Sequence, residues 1–107
     1  MATTAYVDRA MASAGSIPDY SNPVDLMWLA ANTDYTMPCD AALTFGRQNG
    51  ARYFYSYLYV NNQLILCWNE HGSHHGHAGG VATIIVGKGQ VIKWAGDRDT
   101  MKYFKMK

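Results

Sequence analysis

RYFYSYLYVNNQLILCWNE, residues Arg52–Glu70, alternates tyrosines with other residues up to a pair of asparagines and predicts the central element of the fold. Its tyrosines occupy alternate positions, so a β-strand would place them on one face; they are Tyr53, Tyr55, Tyr57 and Tyr59. Asn61-Asn62 follows, and asparagine tolerates the positive φ angles that a two-residue type I′ turn requires. The stretch therefore predicts a β-hairpin that carries a column of tyrosines.

The turn also predicts which residues lie opposite each other. On the tyrosine side the expected pairs are Tyr59 with Leu64, Tyr57 with Leu66, Tyr55 with Trp68 and Tyr53 with Glu70. The other side of the hairpin is also largely apolar. An antiparallel sheet with one solvent-exposed face alternates apolar and polar residues more regularly. We therefore expect helices to cover one face, and a second copy, a partner protein or a ligand to cover the other. We favour a homodimer, the commonest symmetric assembly.

Length and composition limit the possible classes of protein. The 107 residues fit one domain, residues 1–107. Charged residues make up only 16% of the chain and the formal net charge is +1, which disfavours nucleic acid and acidic membranes as partners. The N-terminus lacks an apolar signal segment and no apolar run is long enough to span a bilayer, so we expect a cytoplasmic protein. Cys39 and Cys67 are then expected to stay reduced.

The first part of the chain predicts helices. Thr4–Ala14 is expected to form the first, ended by Gly15. Asn22 as N-cap and Pro23 at the first helical position predict a second, which runs to Ala31. Thr36 is the expected N-cap of a third short helix, which contains residues 39–44.

The rest of the chain predicts strands. Val81–Gly96 is expected to form a second hairpin that turns at Gly87-Lys88-Gly89, and Met101–Lys107 a short edge strand. Helices followed by strands are typical of the α+β class. The predicted fold is therefore α+β, with two or three N-terminal helices packed on a four- to five-stranded antiparallel meander.

The tyrosine column is the first candidate site. A row of tyrosines with Trp68 is an apolar surface with a rim of hydroxyl groups, which suits protein recognition. The alternative is that the tyrosines only pack beneath the helices. We predict a small binding protein, dimeric, acting as an accessory or inhibitor protein, with a protein or small-molecule partner. The binding residues would be Tyr53, Tyr55, Tyr57, Tyr59 and Trp68.

The connection after the hairpin, EHGSHHGHAGG at residues 70–80, is the second candidate. Its imidazoles could together bind Zn²⁺ or Ni²⁺; they belong to His71, His74, His75 and His77. The glycines of this segment make it flexible, so binding a metal would cost conformational entropy. We therefore favour a solvated loop with no cofactor. If the chain is an enzyme, this loop with Glu70 is the place to expect a general base.

Cys39 is the third candidate. In the first turn of the predicted third helix, its thiolate would be stabilised by the helix dipole. HAGGVATIIVGKGQVIKW, residues 77–94, resembles the histidine-bearing strand of the NlpC/P60 cysteine peptidases. That resemblance covers under a fifth of the chain and implies Cys39 as nucleophile with His77 as base. The alternative is a small buried thiol.

The predicted order of elements resembles that of the barnase-like microbial ribonucleases. It consists of a helix, the loop sequence IPDY, a second helix and an antiparallel meander. Those enzymes use a glutamate and a histidine as acid and base, with arginines on the phosphate, so the resemblance implies Glu70, the histidine loop and Arg98 as candidates. AGDRDTMKYF, residues 95–104, lacks the histidine that the family keeps there. A small hydrolase at the histidine loop therefore remains the alternative function, and whether the chain is an enzyme stays open.

Overall fold

Eight β-strands form the structure, a computed structural model. It describes residues 17–51, 53–71 and 78–107, with side chains except at positions 49–51, 53, 54, 70, 71 and 78. The strands are β1 (Pro18–Asp25), β2 (Tyr35–Thr36), β3 (Ala41–Ala51), β4 (Tyr53–Val60), β5 (Gln63–His71), β6 (Ala78–Val86), β7 (Val91–Gly96) and β8 (Thr100–Met106). The described residues contain no helix, so the α+β prediction is wrong.

The strands pair as one long ribbon folded over on itself. β4 pairs with β5, β3 with β6, β2 with β7 and β1 with β8, all antiparallel. Asn61-Asn62 forms the tip, with φ angles of 50° and 63°, which confirms the predicted turn. Folding produces a first sheet in the order β1-β8-β3-β6 and a second in the order β2-β7-β4-β5. This nested order is that of a jelly roll.

The core lies between the two sheets. Along β3 the residues that face it are Ala41, Leu43 and Phe45, at the two-residue period of a strand. Leu58 and Ile92 face them from the second sheet and are also fully buried. Because both sheets contribute to one core, the described residues form a single domain of packed sheets.

The predicted second helix is wrong, because its signals belong to an edge strand and a turn. Pro23 lies in β1, at the edge of the first sheet, where a missing N–H is tolerated. Asp19 accepts hydrogen bonds from the Ser21 backbone N–H (3.2 Å) and the Asn22 side chain (2.7 Å), so these polar residues stabilise a local turn. Beyond β1, Leu26 and Leu29 enter the core from a loop. Their three-residue spacing imitates a helical stripe.

The predicted third helix is also wrong. Thr36 lies in the two-residue strand β2, and Cys39 lies in a bend before β3. Ala42 is buried although it lies on the outer side of β3, where its cross-strand neighbours are Phe104 and Ile85. Tertiary packing on both faces of β3 therefore overrides the helical preference of its alanines.

The predicted meander is wrong in its pairing. β6 and β7 are strands, as expected, but β6 belongs to the first sheet and β7 to the second. Gly87-Lys88-Gly89 therefore connects the sheets rather than turning a hairpin. The C-terminal strand β8 lies between β1 and β3, and is central rather than an edge strand. The predicted helix Thr4–Ala14 lies outside the described residues.

Within the part of the chain that the structure describes, no helix is long and apolar enough to cross a membrane.

Candidate functional site

A β-bulge in β5 decides which side chains share a face with the tyrosines. Tyr59 lies opposite Leu64, as predicted, but Leu58 lies opposite Leu66, and Ile65 between them has no cross-strand partner. The extra residue shifts the register by one from that point. Trp68 consequently lies opposite Ser56 instead of Tyr55. The predicted register is correct at the tip and wrong beyond Ile65.

Tyrosine side chains line the outer surface of the second sheet. Leu58, Val60 and Ser56 alternate with them along β4 and face the core or are buried, so the tyrosines point the other way. Cross-strand neighbours on this side come from both flanking strands. We call the surface the tyrosine face, and it comprises Tyr55, Tyr57, Tyr59, Leu64, Cys67, Asn69, Lys93 and Ala95.

The tyrosine face is open to solvent in the described structure. Tyr55 is 40% exposed, and Leu64, Cys67 and Asn69 along the β5 side are also exposed. Tyr57 and Tyr59 are half-buried. Lys93 lies beside them, with its Nζ atom 5.3 Å from the centre of the Tyr59 ring, which is within range of a cation–π interaction. The face is therefore aromatic and apolar, with one cation at its side.

Backbone contacts fix the Tyr55 end of the face. The Asp97 N–H donates to the Tyr55 carbonyl at 2.6 Å, and the Ser56 hydroxyl donates to the Asp97 carbonyl. Arg47 forms an ion pair with the Asp97 carboxylate at 2.9 Å, which ties the first sheet to this turn. Gly96 has a φ of 88°, and a Cβ atom there would lie 2.1 Å from the Tyr55 carbonyl oxygen, so only glycine fits. These contacts anchor the Tyr55 end of β4 to the turn at Asp97.

Of the two remaining predicted binding residues, the structure describes the side chain of Trp68 only. Trp68 points inward and packs against Phe45, with ring centres 6.2 Å apart, so it is part of the interior and not of the tyrosine face. Tyr53 lies in β4, and its side chain lies outside the described ones. Sequence reasoning missed Lys93 because its strand was assigned to a separate hairpin. The alternation in VIKWAG does predict that Lys93 and Trp94 face opposite sides.

The predicted metal and general-base residues lie largely outside the described part. His71 ends β5, but its side chain and that of Glu70 are not among those described. His74, His75 and His77 lie outside the described residues altogether. Among the side chains that the structure does describe, no group of three histidine, cysteine or acidic residues could hold a metal ion.

Cys39 lies in a different environment from the predicted one. It is half-buried, packs against the core and does not begin a helix, so the dipole argument for an activated thiolate does not hold. Cys67, by contrast, is exposed on the tyrosine face. Both cysteines are free thiols.

Comparison of the chain with protein-family models, with curated proteins and with solved structures gives no match. Function must therefore be inferred from the geometry of the chain itself.

Proposed function

We propose that this protein is a binding module whose tyrosine face recognises a protein partner. The observation that carries the proposal is the row of Tyr55, Tyr57 and Tyr59 on the outer surface of the second sheet, over which the described residues place no second layer. A row of large aromatic rings that remain partly exposed to solvent is typical of an interaction surface.

The chemistry of the face favours a protein over other partners. Tyrosine combines a large apolar ring with a hydroxyl group, and it is enriched in protein interfaces because it contributes contact area at little cost in side-chain entropy. Lys93 is the one charged side chain among the described members of the face. Nucleic-acid binding depends on several cations along the phosphate backbone, so the face lacks the electrostatics for that role.

The central position of β4 in the second sheet also supports binding. β4 is hydrogen-bonded to a strand on each side, β5 and β7. The contacts of Asp97 and Gly96 with Tyr55 add to this pairing. A preformed surface loses little conformational entropy when a partner docks. A small-molecule site is less compatible with this geometry, because such sites are concave and the tyrosines lie on the outer surface of a sheet.

The test compares two tyrosine variants. Tyr57→Ser with Tyr59→Ser removes the centre of the face, whereas Tyr20→Ser removes an exposed tyrosine from β1 in the other sheet. Proteins captured by the immobilised wild type would be identified by mass spectrometry, purified and titrated against each variant. We expect the double variant to bind at least about tenfold more weakly, since central interface residues each contribute more than about 1 kcal/mol. Tyr20→Ser should bind like the wild type.

Equal affinity of the double variant and the wild type, with unchanged melting temperatures, would contradict the proposal. A loss of affinity that Tyr20→Ser shares would also contradict it, because binding would then not depend on this face.

A further inference from the structure

The two edges of the first sheet are built differently. β1, at one edge, has the sequence PDYSNPVD, in which two prolines and two aspartates block pairing with a further strand. β6, at the other edge, has the sequence AGGVATIIV, without a proline or a charged residue. Proteins normally protect such an edge, because its free N–H and C=O groups can pair with another chain. Within the described residues, no strand pairs with the outer edge of β6, and the strand carries none of these protecting residues.

The outward-facing residues of β6 are exposed. Ile85 is 68% exposed and Val81 is 42% exposed, and Thr83 between them is exposed as well. These three residues share one side of the strand. Their neighbours on β3 are small or polar: Ala42 lies opposite Ile85, Thr44 opposite Thr83 and Gly46 opposite Val81. β3 therefore leaves both large apolar side chains of the edge uncovered.

We propose that two copies of this chain associate through β6, with the two strands antiparallel about a twofold axis at Thr83. In that register Thr83 lies opposite Thr83 of the second copy, and each Ile85 lies opposite a Val81. The two first sheets then become one continuous sheet of eight strands, and all four exposed apolar side chains gain cross-strand partners.

The pattern of β6 points to a second copy rather than to a different protein. A twofold axis requires a self-complementary surface, and Val81, Thr83 and Ile85 read as apolar, threonine, apolar in either direction. A shift by two residues in one direction would place Ile85 opposite Thr83 and Val81 opposite Gly87. The opposite shift would place Val81 opposite Thr83 and Ile85 opposite Gly79, so neither shift pairs the apolar groups with each other. The strand carries no charge, so two copies do not repel each other. On the same side of the sandwich, the edge strand of the second sheet, β5, is interrupted by the bulge at Ile65.

This inference is independent of the proposed function, because β6 and the tyrosine face lie in different sheets. It also places the contact of a homodimer on the edge of the first sheet rather than on the tyrosine face.

Charge variants at Thr83 test the register. Sedimentation velocity of the wild type should show a dimer at micromolar concentration. Thr83→Lys and Thr83→Glu each place two like charges directly opposite each other, so each variant alone should be monomeric with a wild-type circular dichroism spectrum. Mixing the two should restore a one-to-one dimer, because lysine then lies opposite glutamate. Both variants lose the hydrogen bond between the Thr83 and Thr44 hydroxyls (2.8 Å). A difference between each variant alone and their mixture therefore reports the charges and not the loss of this hydrogen bond.

Two control variants separate this contact from the other candidates. Ile65→Lys charges the edge of the second sheet, and Tyr57→Ser changes the tyrosine face; both should remain dimeric. A monomeric wild type would overturn the proposal, as would Thr83→Lys and Thr83→Glu proteins that stay dimeric alone. Dissociation by Tyr57→Ser but not by Thr83→Lys would move the contact to the tyrosine face, and would also overturn it.

Discussion

The indole ring of Trp68 in β5 covers the backbone of Gly80 in β6, across the gap between the two sheets. A Cβ atom on Gly80 would lie 2.3 Å from the Trp68 Nε1 atom. β5 and β6 are edge strands on the same side of the sandwich. The contact therefore closes that side of the core, next to Phe45.

Gly80→Ala should destabilise the protein, because the added methyl group displaces the Trp68 ring. Inserting atoms into a packed site typically costs about 1–3 kcal/mol, and we expect a loss in this range in the free energy of unfolding measured by urea denaturation. Gly87→Ala is the matched control. Its Cβ atom would meet its nearest atoms only at 3.6 Å, so the change should be within about 1 kcal/mol. Equal effects of the two substitutions would contradict the role of the contact.

This contact also shows how far sequence reasoning reaches. The Asn61-Asn62 turn and the strands on both sides follow from local patterns, and the structure confirms them. The sequence predicts Trp68 on the tyrosine side because no local signal marks Ile65 as a bulge residue. The pairing of β6 with β3, and of β8 with β1 and β3, joins residues far apart in the chain. Alternation within a strand is the same for a meander and for a jelly roll, so it cannot choose between them.

Arg98 fixes the loop that follows β1, and lysine should not replace it. Its guanidinium group donates to the carbonyls of Leu26 (2.8 Å), Met27 (2.8 Å) and Leu29 (2.7 Å). It also stacks on Trp94, with 3.9 Å between Cζ and the ring centre. Burial lowers the pKa of Arg98 from its usual range, and the group remains charged at neutral pH. Lysine lacks both the planar fork and the stacking surface.

Arg98→Lys should therefore lower the free energy of unfolding, measured by urea denaturation, by roughly 1.5–3 kcal/mol, the range for hydrogen bonds to a charged group. Lys105→Met provides the control, because Lys105 is exposed in β8 and its loss should cost less than about 0.5 kcal/mol. A wild-type midpoint for Arg98→Lys would show that charge alone holds the loop.

Tyr103 should make the stability of the protein fall at high pH. Burial, together with a hydrogen bond to Tyr35, raises the pKa of Tyr103 from 10.0 to about 12. The unfolded chain loses this proton near pH 10 while the folded protein still holds it. The contribution of Tyr103 to stability is thus complete below pH 10 and is lost as the pH rises to about 12. Tyr103→Phe has no proton to lose and should depend less on pH over this interval.

Urea denaturation at pH 9, 10 and 11 would measure the difference. The wild type should lose more stability than Tyr103→Phe between pH 9 and 11, by roughly 1–2 kcal/mol. Tyr20→Phe, at an exposed tyrosine, serves as the control and should follow the wild type. Parallel pH profiles for the wild type and Tyr103→Phe would refute the assignment.

The bulge at Ile65 makes two single-residue deletions in β5 unequal. Without Ile65, Leu66 still lies opposite Leu58 and Trp68 opposite Ser56, so the inner side chains stay in the core. Without Cys67, Trp68 moves to the outer position opposite Tyr57, and Asn69 takes its place beside Phe45.

We expect deletion of Ile65 to cost about 1 kcal/mol of unfolding free energy, the typical cost of a single change. Deletion of Cys67 should cost about 3–5 kcal/mol, as for loss of a buried tryptophan. Equal losses in urea denaturation would mean that the register beyond the bulge does not depend on Ile65. A larger loss on deletion of Ile65 would place the extra residue elsewhere in β5.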